Sequence, residues 1–243
     1  MSTLVPDRRR GWLMLACFAV AEAIFLLASI LILLPFALAG PRIPGPALVA
    51  VLVVPTVVAG VVAAIGAALL GQGNLLERLR SQLSLRWRAS DIGIGLALGV
   101  AGLVITIPAA ALWARWVGRN EAHSAVGEVF DGRRLPLELG LTLFIAVWLV
   151  APLCEELLYR GVLWRAMEYW RWNRWVIFGL TTVLFSVAHF EVLRTPLLVV
   201  ISLPVALARL LTGNLLASIV AHQANNFLPA VGLLLITQGA LPG

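Results

Sequence analysis

Glu155, Glu156 and Arg160 lie inside a long apolar run of the sequence. A charged side chain near the centre of a bilayer costs from about 2.5 to more than 10 kcal/mol, so a membrane protein keeps one only where another group compensates. Carboxylates can take and return protons, which is the work of a general base or a general acid. These residues are therefore the first candidates for a catalytic site.

Polar residues recur in the second half of the chain as pairs at a spacing of four, which places each pair on one helix face. The pairs are Glu156 with Arg160, Phe185 with His189, and His222 with Asn226. Glu156 and Arg160 have opposite charges, so we expect a structural ion pair. Glu155 is then left without a partner and is the better candidate for a general base or acid. Asn225 lies beside Asn226 and could share the face of His222.

The register of two neighbouring helices brings an acid and an imidazole to the same depth. If Trp172 marks the tip of a helical hairpin, Glu155 lies seventeen residues before it and His189 seventeen residues after it. At 1.5 Å per residue, both lie roughly 25 Å from the tip along antiparallel helices. We therefore expect Glu155 and His189 to be able to share a proton or a water molecule.

The composition is that of a polytopic membrane protein. Of 243 residues, 61% are hydrophobic and 12% are charged, and the mean hydropathy is +0.97, which is far more apolar than a soluble domain requires. The net charge of +6 comes from arginine alone, since the chain has no lysine. These arginines lie between apolar runs, which indicates contact with the headgroups of a lipid bilayer rather than with nucleic acid.

The apolar runs predict an all-α bundle of about eight transmembrane helices. The expected spans are Trp12–Leu38, Ala47–Leu70, Asp91–Trp116, Leu137–Trp170, Trp175–Phe190, Pro196–Leu211, Asn214–Phe227 and Pro229–Ala240. The small residues Gly95 and Gly99 predict a close helix approach. The connector 117–136, with Glu121 and His123, is interpreted as a loop or an interfacial segment. Ala37 to Ala39 resembles a signal-peptide cleavage site, but the length of the first span favours its retention.

Arginine distribution predicts the orientation in the membrane. With the N-terminus inside, Arg8 to Arg10, Arg78 to Arg88, and Arg171 with Arg174 all lie on the cytoplasmic side of the cell membrane, as the positive-inside rule requires. Eight spans then place both termini in the cytoplasm. We interpret residues 1–243 as one integral membrane domain, with variable N-terminal spans in 1–136 and a catalytic core in 137–229.

Three motifs in this order resemble the CAAX protease and bacteriocin-processing (CPBP) family of intramembrane proteases, which includes prenyl-protein endopeptidases and the bacterial Abi proteins. They are Glu155-Glu156-x-x-x-Arg160, Phe185-x-x-x-His189 and His222-x-x-x-Asn226. The resemblance implies that Glu155 and His189 activate a water molecule that attacks a peptide carbonyl, and that His222 and Asn226 stabilise the oxyanion. It also implies that Glu156 and Arg160 brace the catalytic helix.

The cofactor and the substrate stay open at this point. Family members have been described as metal-independent glutamate proteases and as metalloproteases. We expect no cofactor, with a zinc ion held by Glu155, His189 and His222 as the alternative. The expected substrate is a peptide or a lipidated protein in the membrane. Buried Glu, His and Arg also occur in proton-coupled transporters, and a non-catalytic membrane scaffold is a third possibility.

Overall fold

The computed structural model describes residues 7–39, 43–118 and 124–241. Regular structure within these ranges consists of α1 (Arg8–Ala39), α2 (Gly45–Leu69), α3 (Leu75–Leu83), α4 (Ala89–Val117), α5 (Ala125–Phe130), α6 (Leu137–Tyr169), α7 (Arg174–Val187), α8 (Thr195–Thr212) and α9 (Leu215–Thr237). Six of these helices, α1, α2, α4, α6, α8 and α9, are long and apolar enough to cross a membrane. The prediction of an all-α, polytopic transmembrane bundle is confirmed.

The predicted count of eight spans is too high, because the last two predicted spans are one helix. α9 continues through Pro229 to Thr237, whereas the sequence analysis divided it at that proline. A proline in a membrane helix removes one backbone hydrogen bond but need not end the helix, because neighbouring groups can satisfy the freed carbonyl. Pro35, Pro55, Pro108 and Pro204 also lie inside helices.

The helix count also bears on the predicted orientation. The expectation that both termini face the cytoplasm rested on an even number of crossings. The structure has six long helices and the 14-residue α7 in place of the eight predicted spans. The side of the membrane on which the C-terminus lies therefore no longer follows from an even number of crossings. The arginine distribution, which places the N-terminus, does not depend on this change.

Both polar connectors contain a short helix. α3 begins with a capping box in which Asn74 and Glu77 bond each other's backbone N–H groups. α5 lies in the connector 117–136 and is capped by Ser124. Glu121 and His123, which the sequence analysis placed in this connector, lie outside the described residues.

The small residues of α4 allow a close approach to α9. A Cβ atom built on Gly95 would lie 2.5 Å from the Ala217 carbonyl oxygen, and one built on Gly99 would lie 2.6 Å from the Ala221 carbonyl oxygen. A larger side chain at either position would push the helices apart. At the start of both helices, buried Asp91 accepts a hydrogen bond from Asn214, the N-cap residue of α9, at 2.8 Å. These contacts fix the position of the helix that carries His222.

Candidate active site

The helix that carries the first motif departs from α-helical geometry on both sides of the two glutamates. α6 contains π-helical stretches at Ala146–Val150 and Leu157–Leu163. In a π-helix, each carbonyl bonds the N–H group five residues later. The partner of the Val147 carbonyl would be residue 152, which is a proline and has no N–H group. Asn226 donates from Nδ2 to this carbonyl at 3.2 Å instead.

Glu156 lies in a buried ion pair behind the cavity wall. Its Oε1 accepts a hydrogen bond from Arg160 Nη1 at 3.1 Å, and both side chains have no exposed surface. The same oxygen lies 3.0 Å from His222 Nδ1. Because an ionised carboxylate can only accept, His222 must carry a proton on Nδ1 for this hydrogen bond. The pair is the structural ion pair that the spacing predicted, and it also orients an imidazole.

His222 also faces Glu155, a contact that the sequence did not indicate. Its Nε2 lies 3.7 Å from Glu155 Oε2. The Glu155 side chain is 27% exposed, whereas the Glu156 side chain is fully buried. Of the two adjacent carboxylates, Glu155 is therefore the one that a substrate or a water molecule can reach.

His189 follows α7 rather than lying inside it. The predicted helix ran to Phe190, but α7 ends at Val187. Its 14 residues span about 21 Å, less than the roughly 30 Å of a hydrocarbon core, so the helix carries His189 into the bundle. His189 Nδ1 lies 2.8 Å from the Phe185 carbonyl oxygen. A proton on Nδ1 makes this hydrogen bond and leaves Nε2 free to accept another.

Phe185 packs against charged and ionisable groups of all three motifs. The Arg160 guanidinium lies 4.5 Å from its ring centroid. The His189 and His222 rings lie 4.7 Å and 5.7 Å from it. Phe185 is buried and thus separates the two imidazoles while holding both in place. This packing gives a physical reason for an aromatic residue in the second motif.

One cavity of about 560 Å³ brings most of the predicted site residues together. Those that line it are Glu155, Phe185, His189, His222, Asn225 and Asn226. Its other side is formed by residues of α1 and α2, including Glu22, Phe25, Ser29, Leu52 and Thr56. Most of the remaining lining is apolar. The cavity therefore combines a polar region, formed by the predicted site residues, with a hydrophobic wall.

The two asparagines differ in their surroundings. Asn226 already donates one N–H to Val147. Asn225 is 4% exposed, and its Oδ1 lies against Gly102 of α4 without a hydrogen-bond partner. Each lines the cavity, so either amide can present an N–H group to a ligand.

The residues proposed as zinc ligands do not form a metal site in this arrangement. Within the described parts of the chain, no group of three His, Cys, Asp or Glu side chains converges closely enough to hold a metal ion. The His222 ring is bonded through Nδ1 to Glu156, which leaves its Nε2 facing Glu155. A zinc ion held by Glu155, His189 and His222 therefore stays a prediction from the sequence.

Two residues of this cavity, Glu22 and Tyr159, were not predicted as site residues. Both line it. A lone acid in a membrane span was a signal for Glu22, because such a residue usually faces the bundle interior. Tyr159 occupies an unspecified position inside the first motif and gave no separate signal.

Comparison with protein families supports the resemblance drawn from the motifs. Residues 137–228 match the model of the family described as type II CAAX prenyl endopeptidase Rce1-like. This segment is an Rce1-like domain. It contains all three motifs, and the predicted family is confirmed. Comparison with curated proteins and with solved structures found no significant match.

The family that this segment matches is one of proteases, as its description states. Together with the six apolar helices of the chain, the match indicates a multi-pass membrane protein related to proteases. The matched segment includes α6 to α8 and most of α9. α1 and α2 form the remaining walls of the cavity from outside that segment.

Proposed function

We propose that this protein is an intramembrane endopeptidase that hydrolyses a peptide bond of a membrane-associated or lipidated protein. The observation that carries this proposal is the cavity itself. An accessible carboxylate, two imidazoles and two amides from three helices line one space that is otherwise apolar. Such a space can admit a peptide from the membrane and still supply the polar groups that hydrolysis requires.

In the proposed reaction, Glu155 and His189 activate the attacking water. Glu155 takes a proton from the water as the new C–O bond forms, and the proton then passes to the leaving amine. His189 accepts a hydrogen bond from the same water through Nε2, because its Nδ1 is bonded to the Phe185 carbonyl. The water thus needs no metal ion in this scheme.

The oxyanion requires donors that face the cavity. An amide N–H of Asn226 is one, as the family resemblance implies, because only one of its two N–H groups is used by Val147. His222 can donate from Nε2 only when its ring carries two protons, since Nδ1–H is committed to Glu156. The Glu156 carboxylate stabilises that imidazolium, which gives the buried ion pair a part in the reaction.

We place the protein in the cell membrane with its N-terminus in the cytoplasm. α1, α2, α4 and α6 then deliver Arg8 to Arg10, residues 71–88 and the hairpin 170–173 to the cytoplasmic side, as the positive-inside rule requires.

The proposal is tested by comparing membranes of cells that carry the wild type with membranes that carry Glu155→Ala. Quantitative proteomics of peptide termini is expected to show a substrate that is shortened only with the wild type. Immunoblotting must find both proteins at equal levels in the membrane. Identical peptide termini in the two samples would contradict an endopeptidase and would favour a scaffold or a transporter.

A further inference from the structure

The first span carries a carboxylate that the reaction described above does not use. Glu22 lies in α1, outside the matched segment 137–228. It lines the same cavity as Glu155 and His189. A carboxylate in a membrane span is costly unless another group compensates, so its retention at this position requires a reason.

Tyr159 lies on the cavity wall together with Glu22. The tyrosine is 5% exposed, and its ring packs edge-on against Phe18 at 5.3 Å and against Phe185 at 5.4 Å between centroids. The ring is thus fixed on two sides and forms a rigid part of the wall that Glu22 also lines. One turn of α6 separates Tyr159 from Glu155, so the two carboxylates face a common space.

Carboxylates exceed basic side chains around the cavity. Glu22, Glu155 and Glu191 line it, and none of the described lining side chains is an arginine. Glu191 pairs with Arg194, and Glu155 lies beside His222. Among the described residues, no arginine or histidine side chain forms an ion pair with Glu22. The cavity therefore has a position for one more positive charge.

The Asn225 amide adds a polar group to the same cavity wall. Asn225 lines the cavity, and its Oδ1 is buried against Gly102 of α4, so the N–H side of the amide is the one that can face a ligand. A carboxylate and an amide N–H on the wall of one cavity suit a peptide, which brings both a charged side chain and backbone carbonyl groups.

We propose that Glu22 is a substrate-binding residue that holds a cationic side chain, a lysine or an arginine, beside the scissile bond. This inference rests on the proposed endopeptidase function and adds a preference to it. A carboxylate shielded from bulk water attracts a cation more strongly than an exposed one does. The apolar wall formed by Phe25 and Leu52 fits the methylene stem of such a side chain.

The test uses full-length protein in lipid nanodiscs and a series of internally quenched peptides. The peptides are identical except at one position, moved stepwise along both sides of the cleaved bond, which carries lysine, norleucine or glutamate. Norleucine keeps the four-carbon stem of lysine and lacks its ammonium group. At one position, the wild type should prefer lysine to norleucine by about tenfold or more in kcat/KM, the effect of one charge-assisted hydrogen bond.

Variants assign that preference to the Glu22 carboxylate. Glu22→Gln should reduce the lysine-to-norleucine ratio to about unity, because the amide carries no charge to attract the ammonium group. Glu128→Gln is the matched control, since Glu128 is exposed and does not line the cavity. An unchanged ratio in Glu22→Gln, or no lysine preference in the wild type, would overturn the inference.

A binding measurement separates this inference from the proposed function. Fluorescence anisotropy of the labelled lysine and norleucine peptides reports affinity without requiring cleavage. If no peptide is cut but the wild type binds lysine more tightly and Glu22→Gln does not, the endopeptidase proposal fails and Glu22 stays a cation-binding residue. If peptides are cut and neither affinity nor kcat/KM depends on Glu22, the inference fails and the endopeptidase stands.

Discussion

Adjacent residues of one motif have different environments and therefore different roles. Glu156 is fully buried between Arg160 and His222, whereas the Glu155 side chain is 27% exposed in the cavity. Removing one member of a buried ion pair leaves the other charge without compensation, which usually costs more than the pair itself contributes. Glu155 is thus suited to catalysis, and Glu156 is suited to stabilising the fold.

We expect Glu156→Gln to lower the free energy of unfolding by about 3–5 kcal/mol, because Arg160 would stay charged and buried without a partner. Glu155→Gln is the matched variant next to it and should change stability by less than about 1 kcal/mol, since this side chain reaches solvent. Thermal or SDS-induced unfolding of the purified proteins measures both. Equal stability of the two variants would contradict the division between them.

Chelation tests the water activation proposed without a metal. Treatment of the purified protein with 1,10-phenanthroline or EDTA should leave the cleavage rate within about twofold, because the described donors do not converge on a metal position. The rate is measured on the same peptide before and after dialysis. Loss of activity that zinc restores, and magnesium does not, would show that Glu155, His189 and His222 move together to bind the ion.

Some features of these residues could be predicted from sequence and others could not. Spacing of four placed Arg160 beside Glu156, because a helix turn alone decides that contact. The contact of His222 with both glutamates depends on how α9 rotates against α6, and no local pattern encodes that rotation. For the same reason, the sequence did not indicate that Glu22 lines the cavity.

At the scale of the helices, close packing of α4 positions the helix that carries His222. A Cβ on Gly99 would meet the Ala221 carbonyl oxygen and the Ala224 Cβ at 2.6 Å each, whereas one on Gly93 of the same helix would meet no atom within 4 Å. A methyl group can be added to a helix only where the neighbouring helix leaves room for it. α9 must therefore move if Gly99 is replaced.

Gly99→Ala is expected to destabilise the protein by about 1–3 kcal/mol and to lower the cleavage rate, because it displaces His222 from Glu155. Gly93→Ala adds the same methyl group to the same helix and should leave both stability and rate near the wild type. Unfolding and peptide cleavage are measured on the three proteins in parallel. A Gly99→Ala protein that is as stable and active as Gly93→Ala would contradict the packing described for these helices.

Helix boundaries near prolines could not be predicted from the sequence. Division at Pro229 follows the rule for soluble helices, in which an internal proline leaves a carbonyl unpaired. Inside a bundle, side chains can satisfy such a carbonyl, as Asn226 does for Val147 ahead of Pro152. The number of helices thus depended on tertiary contacts, whereas the helical class and membrane character followed from composition.

At the scale of the whole molecule, the cavity joins the Rce1-like segment to helices outside it. α6 supplies Glu155, the turn after α7 supplies His189 and α9 supplies His222, while α1 and α2 close the opposite side with an acid and several apolar residues. The first spans therefore do more than anchor the protein in the bilayer. They shape the space in which a substrate would lie, so they are expected to influence which substrates are cut.

The most direct test of a Glu155- and His189-dependent hydrolase is a cleavage assay on purified full-length protein in nanodiscs, with products identified by mass spectrometry. We predict that the wild type cuts a membrane-associated peptide and that Glu155→Gln and His189→Gln each lose about 10²- to 10⁴-fold in rate, as expected when a general base or its partner is removed. Both variants should unfold at wild-type temperature. Folded Glu155→Gln and His189→Gln proteins that cleave at the wild-type rate would contradict the account.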